Sequence, residues 1–150
     1  MNASKIITHW NQIRSGLIDT IDKFNRDALD YVPVEDGYSV REIILHIAQE
    51  EFGEIQYGLT RKIDAFPPPY RVDDFPSIES LKALLLDVHY DTNKYLESLH
   101  DTDLNLEFEA QWGETKPLIE FILHVIEHEV HHRGELSLIL GLLGQEGLDA

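Results

Sequence analysis

Apolar residues recur at three- and four-residue intervals along four long stretches of the chain, the spacing of one face of an α-helix. In the first, Ile6, Ile7, Trp10, Ile13, Leu17, Ile18 and Ile21 predict a helix from about Ser4 to Phe24. A loop with Pro33 and Asp36-Gly37 follows. Ser39-Val40-Arg41-Glu42 fits a capping box, with Ser39 at the N-cap and Glu42 reaching back to it, and so marks a second helix start. Its stripe includes Val40, Ile43, Ile44, Ile47, Ile55 and Leu59, and the helix must stop before Pro67-Pro68-Pro69.

A third helix opens near Ser77 and carries Leu81, Leu84, Leu85, Val88, Tyr95 and Leu99, closing at Asp101-Thr102-Asp103. Between Leu104 and Gly113 the alternation of Leu104, Leu106 and Phe108 is too short and unpartnered to predict a sheet, so an extended connection is expected. The fourth helix is expected from about Thr115, with Pro117 in its first turn, to about Leu143, where Gly144 suits a left-handed residue past the end. Four amphipathic helices without an internal repeat predict an all-α four-helix bundle forming a single domain over 1–150.

Composition narrows the chemistry. The chain has no cysteine, which removes disulfides, thiolate ligands and a cysteine nucleophile, and leaves histidine and carboxylate as metal ligands. A formal net charge of -16, from 12 Lys+Arg against 28 Asp+Glu, repels phosphate backbones and attracts divalent cations, so nucleic acid is not an expected partner. No apolar run reaches the length of a membrane span, and the first residues have no signal-peptide pattern, so a cytoplasmic protein without membrane association is expected.

Of the 8 histidines, His124, His128, His131 and His132 fall within one short stretch of the last helix. His128 and His132 stand about 40° apart on a helical wheel, one turn above the other, at the margin of the apolar stripe. His131 points well away from it and His124 lies between. Paired imidazoles at that spacing converge on one divalent ion. A third ligand is needed, and His46, at the edge of the second helix's stripe, is the best candidate. Glu50 lies one turn further on the same ridge, followed by Glu54. Glu50 is the candidate catalytic carboxylate, able to orient a ligand or take a proton.

Residues 128–135, His-Glu-Val-His-His-Arg-Gly-Glu, and residues 38–48, from Tyr38-Ser39 into His46, resemble the two signatures of the DinB-like superfamily. Trp112-Gly113 and Leu142-Leu143-Gly144 are similar to the residues found at those places in that family. The resemblance spans essentially the whole chain. It implies an up-down-down-up bundle, often a homodimer, with His46, His128 and His132 as ligands of one divalent metal, whether Zn, Ni, Fe or Mn. It also implies a small-molecule substrate. Members include transferases that use low-molecular-weight thiols such as bacillithiol or mycothiol, alongside members described as metal-dependent hydrolases. Some thiol-dependent relatives carry Glu in place of one His; this chain has His at all three positions.

Two other functions compete. His128-Glu129-Val130-His131-His132 satisfies the H-E-x-x-H pattern of zinc peptidases, in which Glu129 would be the general base, although little chain follows to supply a third ligand. A non-catalytic metal-binding or interaction protein is the other alternative. Within the last helix, Arg133 is expected to pair with Glu129 four residues earlier, and mid-helix Gly134 to admit a neighbouring helix. The apolar stretch from Leu136 to Leu143 covers more than one face, as a dimer contact would.

Overall fold

The computed structural model describes residues 1–147. Four α-helices form the bundle: α1 (Ala3–Asp22), α2 (Val40–Phe52), α3 (Ile78–Glu97) and α4 (Leu118–Leu142). Each of the first three starts at a polar cap. Asn2 accepts from the Lys5 N–H, the predicted Ser39–Glu42 box closes with bonds of 3.1 and 3.0 Å, and Ser77 caps α3. Gly144 is left-handed (φ 80°) just past α4, as expected.

The core is two clusters at opposite ends of the bundle. One unites the end of α1 (Leu17, Ile21), the start of α2 (Val40 to Ala48), the start of α3 (Leu81 to Val88) and the end of α4 (Leu136 to Leu140). The other unites the start of α1 (Ile6 to Ile13), Ile55 and Leu59 beyond α2, Leu96 of α3 and the start of α4 (Leu118 to Ile126). Helices that enter one cluster by their ends lie antiparallel to those that enter it by their starts. The directions are therefore up, down, down, up. α1 and α2 each pack against both α3 and α4.

Because α2 and α3 are parallel, the link between them must return along the bundle. Pro67-Pro68-Pro69 suits that extended path, and the Gln49 amide on α2 donates to the Pro67 carbonyl (2.9 Å). α2 itself does not run on as a plain α-helix. Residues Gly53–Leu59 form a π-helical turn, in which a Cβ on Gly53 would fall 2.3 Å from Phe66 and one on Gly58 2.2 Å from Trp112. Glycine at both places lets the two aromatic rings close on the helix.

The segment before α4 departs from expectation. After a short 3₁₀ turn at Asp101–Asn105, β1 (Glu107–Glu109) pairs antiparallel with β2 (Thr115–Pro117), joined by a turn with Gly113 at φ 95°. Thr115–Pro117 is thus strand, not the first helical turn, and Pro117 becomes the residue preceding α4. A three-residue partner ending in proline carries no alternation to read. Pairing is supplied instead by Phe108 and Trp112 packing edge-on against Phe121 of α4.

Candidate metal centre

α2 and α4 pack side by side, and their facing margins bring His46 opposite His128 and His132. The Nε2 of His128 lies 3.0 Å from Nε2 of His46 and 3.1 Å from Nε2 of His132. Three Nε2 atoms around one point, each ring half-buried, are a donor set for a single cation; Zn–N bonds of ~2.0–2.1 Å with tetrahedral angles would separate the nitrogens by roughly 3.3 Å. The residues therefore fit the metal that the resemblance implies. Three imidazoles leave at least one coordination position for water or substrate.

Two of the three rings, His128 and His46, resist protonation. Burial pushes His128 down to about 3, with the neighbouring His132, His46, His124 and His131 adding to the shift. Burial also lowers His46; the Glu50 charge opposes that shift and His132 reinforces it. Neutral imidazole is the form that ligates. On the far edge of its ring, His132 Nδ1 meets Glu135 Oε2 at 2.8 Å, an arrangement that fixes the ring and leaves Nε2 as the lone-pair donor. Glu135 also reaches His131 Nε2 at 3.2 Å.

Glu50, the sequence's candidate for catalysis, lies half-buried one turn beyond His46. Among the described residues it makes no hydrogen bond to the three rings, so the orienting role falls to Glu135. Its charge acts on its neighbours. Glu54, one turn further, is pushed up to about 7, first by burial, then by Glu50, with Glu114 adding and Lys116 opposing. The ridge from His46 to Glu54 thus carries a carboxyl able to exchange a proton near neutral pH. His124 and His131 stay outside the triad; His131 is exposed, as its position on the helix predicts.

Two clefts adjoin the site. One, of about 240 Å³, is lined by His46, Gln49, Tyr38 and Tyr70 among others. The other, about 320 Å³ and largely apolar, lies between Tyr38, Glu135, Leu138 and Leu142. Tyr38 borders both and stacks on His46, with ring centroids 6.3 Å apart and planes 18° from parallel.

The sequence reading missed the residues that hold the helices behind the site, and it mispaired Glu129. Glu129 is 2% exposed and accepts from Trp10 Nε1 (2.7 Å) and from Nε (2.8 Å) and Nη2 (2.8 Å) of Arg14. Its partner is Arg14, not Arg133, because it faces the bundle interior. Both oxygens are engaged there, so Glu129 is not a free base beside the histidines, and the peptidase reading loses its essential group. Gly134 is also corrected: it is exposed, and a Cβ there would meet open space, so among the described residues no neighbouring helix approaches it. A visible signal existed for the interior residues. Arg14, Glu51, His89 and Glu129 each interrupt an apolar stripe.

The chain matches the DinB superfamily over residues 9–136. No curated protein sequence matches it. Among solved structures, it is similar to a DinB-like protein of Bacillus cereus (TM-score 0.74, 16% identity, 97% of this chain and 95% of that one). A DinB-like protein of Bacillus subtilis is similar at 0.73, with 20% identity over 97% and 96%. YfiT of Bacillus subtilis, described as a probable metal-dependent hydrolase with an unusual four-helix bundle topology, gives 0.63, with 22% identity over 93% and 87%. At these identities the structural likeness concerns the fold, while the sequence match covers most of the chain. By that match, and with a bundle of the same kind, the chain belongs to the DinB superfamily.

Proposed function

We propose that the protein binds one divalent metal through His46, His128 and His132 and uses it to transform a small molecule, either by transfer to a low-molecular-weight thiol or by hydrolysis. The observation that carries this reading is the convergence of three Nε2 atoms, 3.0 and 3.1 Å apart at the two close contacts, with no counter-charge of their own among them. A bound metal would act as a Lewis acid and lower the pKa of a thiol or water toward neutrality.

The chain's own residues supply the rest. Glu135 fixes His132. Glu50 and Glu54 form the acidic ridge beside His46, and Glu50 is assigned to accept a proton, directly or through Glu54. The clefts on either side of Tyr38, of about 240 and 320 Å³, suit small molecules and not an extended peptide. With no cysteine in the chain, a thiol reaction would draw its sulfur from a cosubstrate. Exposed Leu138 and Leu142 on α4 support a homodimer, which sedimentation equilibrium would test by doubling the mass. No helix among the described residues is long and apolar enough to cross a membrane, in keeping with a protein that works in the cytoplasm.

Elemental analysis of untagged protein should find one metal per chain, lost in His128→Ala; an unchanged stoichiometry in that variant would sink the site. The metal-loaded protein is then screened with thiols plus electrophiles and with ester and amide panels. Glu50→Gln should keep the metal and slow whichever reaction is found. Silence in both screens with metal bound would favour the non-catalytic alternative.

A further inference from the structure

The two apolar clusters are separated, in all four helices at once, by a polar layer. Arg14 on α1, Glu51 on α2, His89 on α3 and Glu129 on α4 are 2, 1, 4 and 2% exposed. The Arg14 guanidinium is the hub. Nε and Nη2 clasp the Glu129 carboxylate (2.8 Å each), Nη2 also pairs with Glu51, and Nη1 donates to the Leu85 carbonyl of α3 (2.6 Å). Two further groups hold the carboxylates from behind. His89 Nδ1 meets Glu51 Oε1 at 2.8 Å while its Nε2 meets Asn11 Oδ1 at 2.9 Å, and Trp10 Nε1 donates to Glu129 Oε2.

Apolar contacts are non-directional, so two greasy clusters by themselves leave helices some freedom to slide and rotate. A planar guanidinium joining two carboxylates does not. The carboxylates it joins sit on the two helices that carry the histidines. Glu51 follows His46 by five positions; Glu129 directly follows His128 and precedes His132 by three. A ligand set must be held within about 0.5 Å of its productive geometry. We infer that Arg14 is the positioning residue of the metal centre: by bridging Glu51 and Glu129 it sets the height and rotation of α2 against α4, on which the meeting of the three Nε2 atoms depends. This rests on the metal reading above.

The test is metal affinity in folded protein. Arg14→Lys keeps a positive charge but lacks the fork that spans both carboxylates. With folding verified by circular dichroism, it should bind Zn²⁺ at least tenfold more weakly than wild type, and its Co²⁺-loaded form should show an altered visible absorption spectrum. Trp10→Phe, which loses the indole N–H along with part of the buried ring, should weaken Zn²⁺ binding about threefold, and it carries the test if Arg14→Lys does not fold. Leu29→Ala opens a cavity in the cluster fed by the end of α1, away from the layer, and should lower stability with wild-type Zn²⁺ affinity and Co²⁺ spectrum. Wild-type affinity and spectrum in folded Arg14→Lys would overturn the inference and leave the metal site standing. So would wild-type affinity in Trp10→Phe, or weakening in Leu29→Ala equal to that in the layer variants. A wild-type protein that binds neither ion would overturn the metal reading itself.

Discussion

Two polar clusters lie close together between α2 and α4, and they have opposite relations to charge. In the buried layer the Arg14 cation faces the Glu51 and Glu129 anions, and the bonding atoms find partners inside the protein. In the triad at the margin, three imidazoles face one another, with Nε2 atoms 3.0 and 3.1 Å apart at the two close contacts, and protonation of His128 is opposed by burial and by the neighbouring rings. The layer is complete without a ligand. The triad is a donor set that the proposed cation would complete. Polar groups paired across a core serve structure, and like groups converging beside an open cleft suit binding. The difference also explains why the layer sits at 1–4% exposure while the triad sits beside open clefts.

Removing one partner from each cluster separates these roles most sharply. Arg14→Met should cost about 3–5 kcal/mol or prevent folding, because two buried carboxylates lose their cation. Urea unfolding of the metal-free protein measures it. His128→Ala, in contrast, should leave metal-free stability within about 1 kcal/mol of wild type, since no charge is orphaned. A His128→Ala loss as large as that of Arg14→Met would erase the distinction drawn between the clusters.

Acid probes the layer next. Burial works to raise the Glu51 pKa, but the Arg14 charge and the bond from His89 outweigh it and hold it down at about 2. A depressed carboxyl contributes stability above its unfolded pKa, about 4.5, and that contribution is lost as pH falls toward 2. Unfolding midpoints of the metal-free protein should therefore drop through that window, and the drop should be smaller in Glu51→Gln. An equal drop in both would remove Glu51 from the account.

The acidic ridge should respond in the opposite sense and more weakly. Glu54 has a raised pKa, so its charging on folding is unfavourable, and it subtracts stability as pH rises from about 4.5 through about 7. Glu54→Gln should be more stable than wild type at pH 8 and indistinguishable from it at pH 4 by thermal melts. The smallest effect lies on the exposed face of α4. Gly134→Ala has open space for its methyl and should add up to about 1 kcal/mol without changing metal content. A loss of stability there would mean that another surface covers the glycine.

The helices were legible because each carries a long apolar stripe and a side-chain cap, so period and punctuation agree. Prediction failed where pairing depended on distant partners. The strand Thr115–Pro117 has no pattern of its own and exists because β1 and Phe121 lie beside it. Glu129 paired wrongly because a helical wheel offers only neighbours three and four away, whereas Arg14 comes from 115 positions earlier. The π turn after α2 likewise answers to Phe66 and Trp112, which reach it from other segments.

The order of residues along the chain specified four amphipathic helices, their approximate ends, and one histidine pair fixed by helical geometry at His128 and His132. Those are properties of local period, which one segment contains entirely. Folding added that His46 meets that pair and that the core is split by an ionic layer. Each of these is a contact between segments, set by the register of α2 against α4, and register is a relation that no single helix encodes.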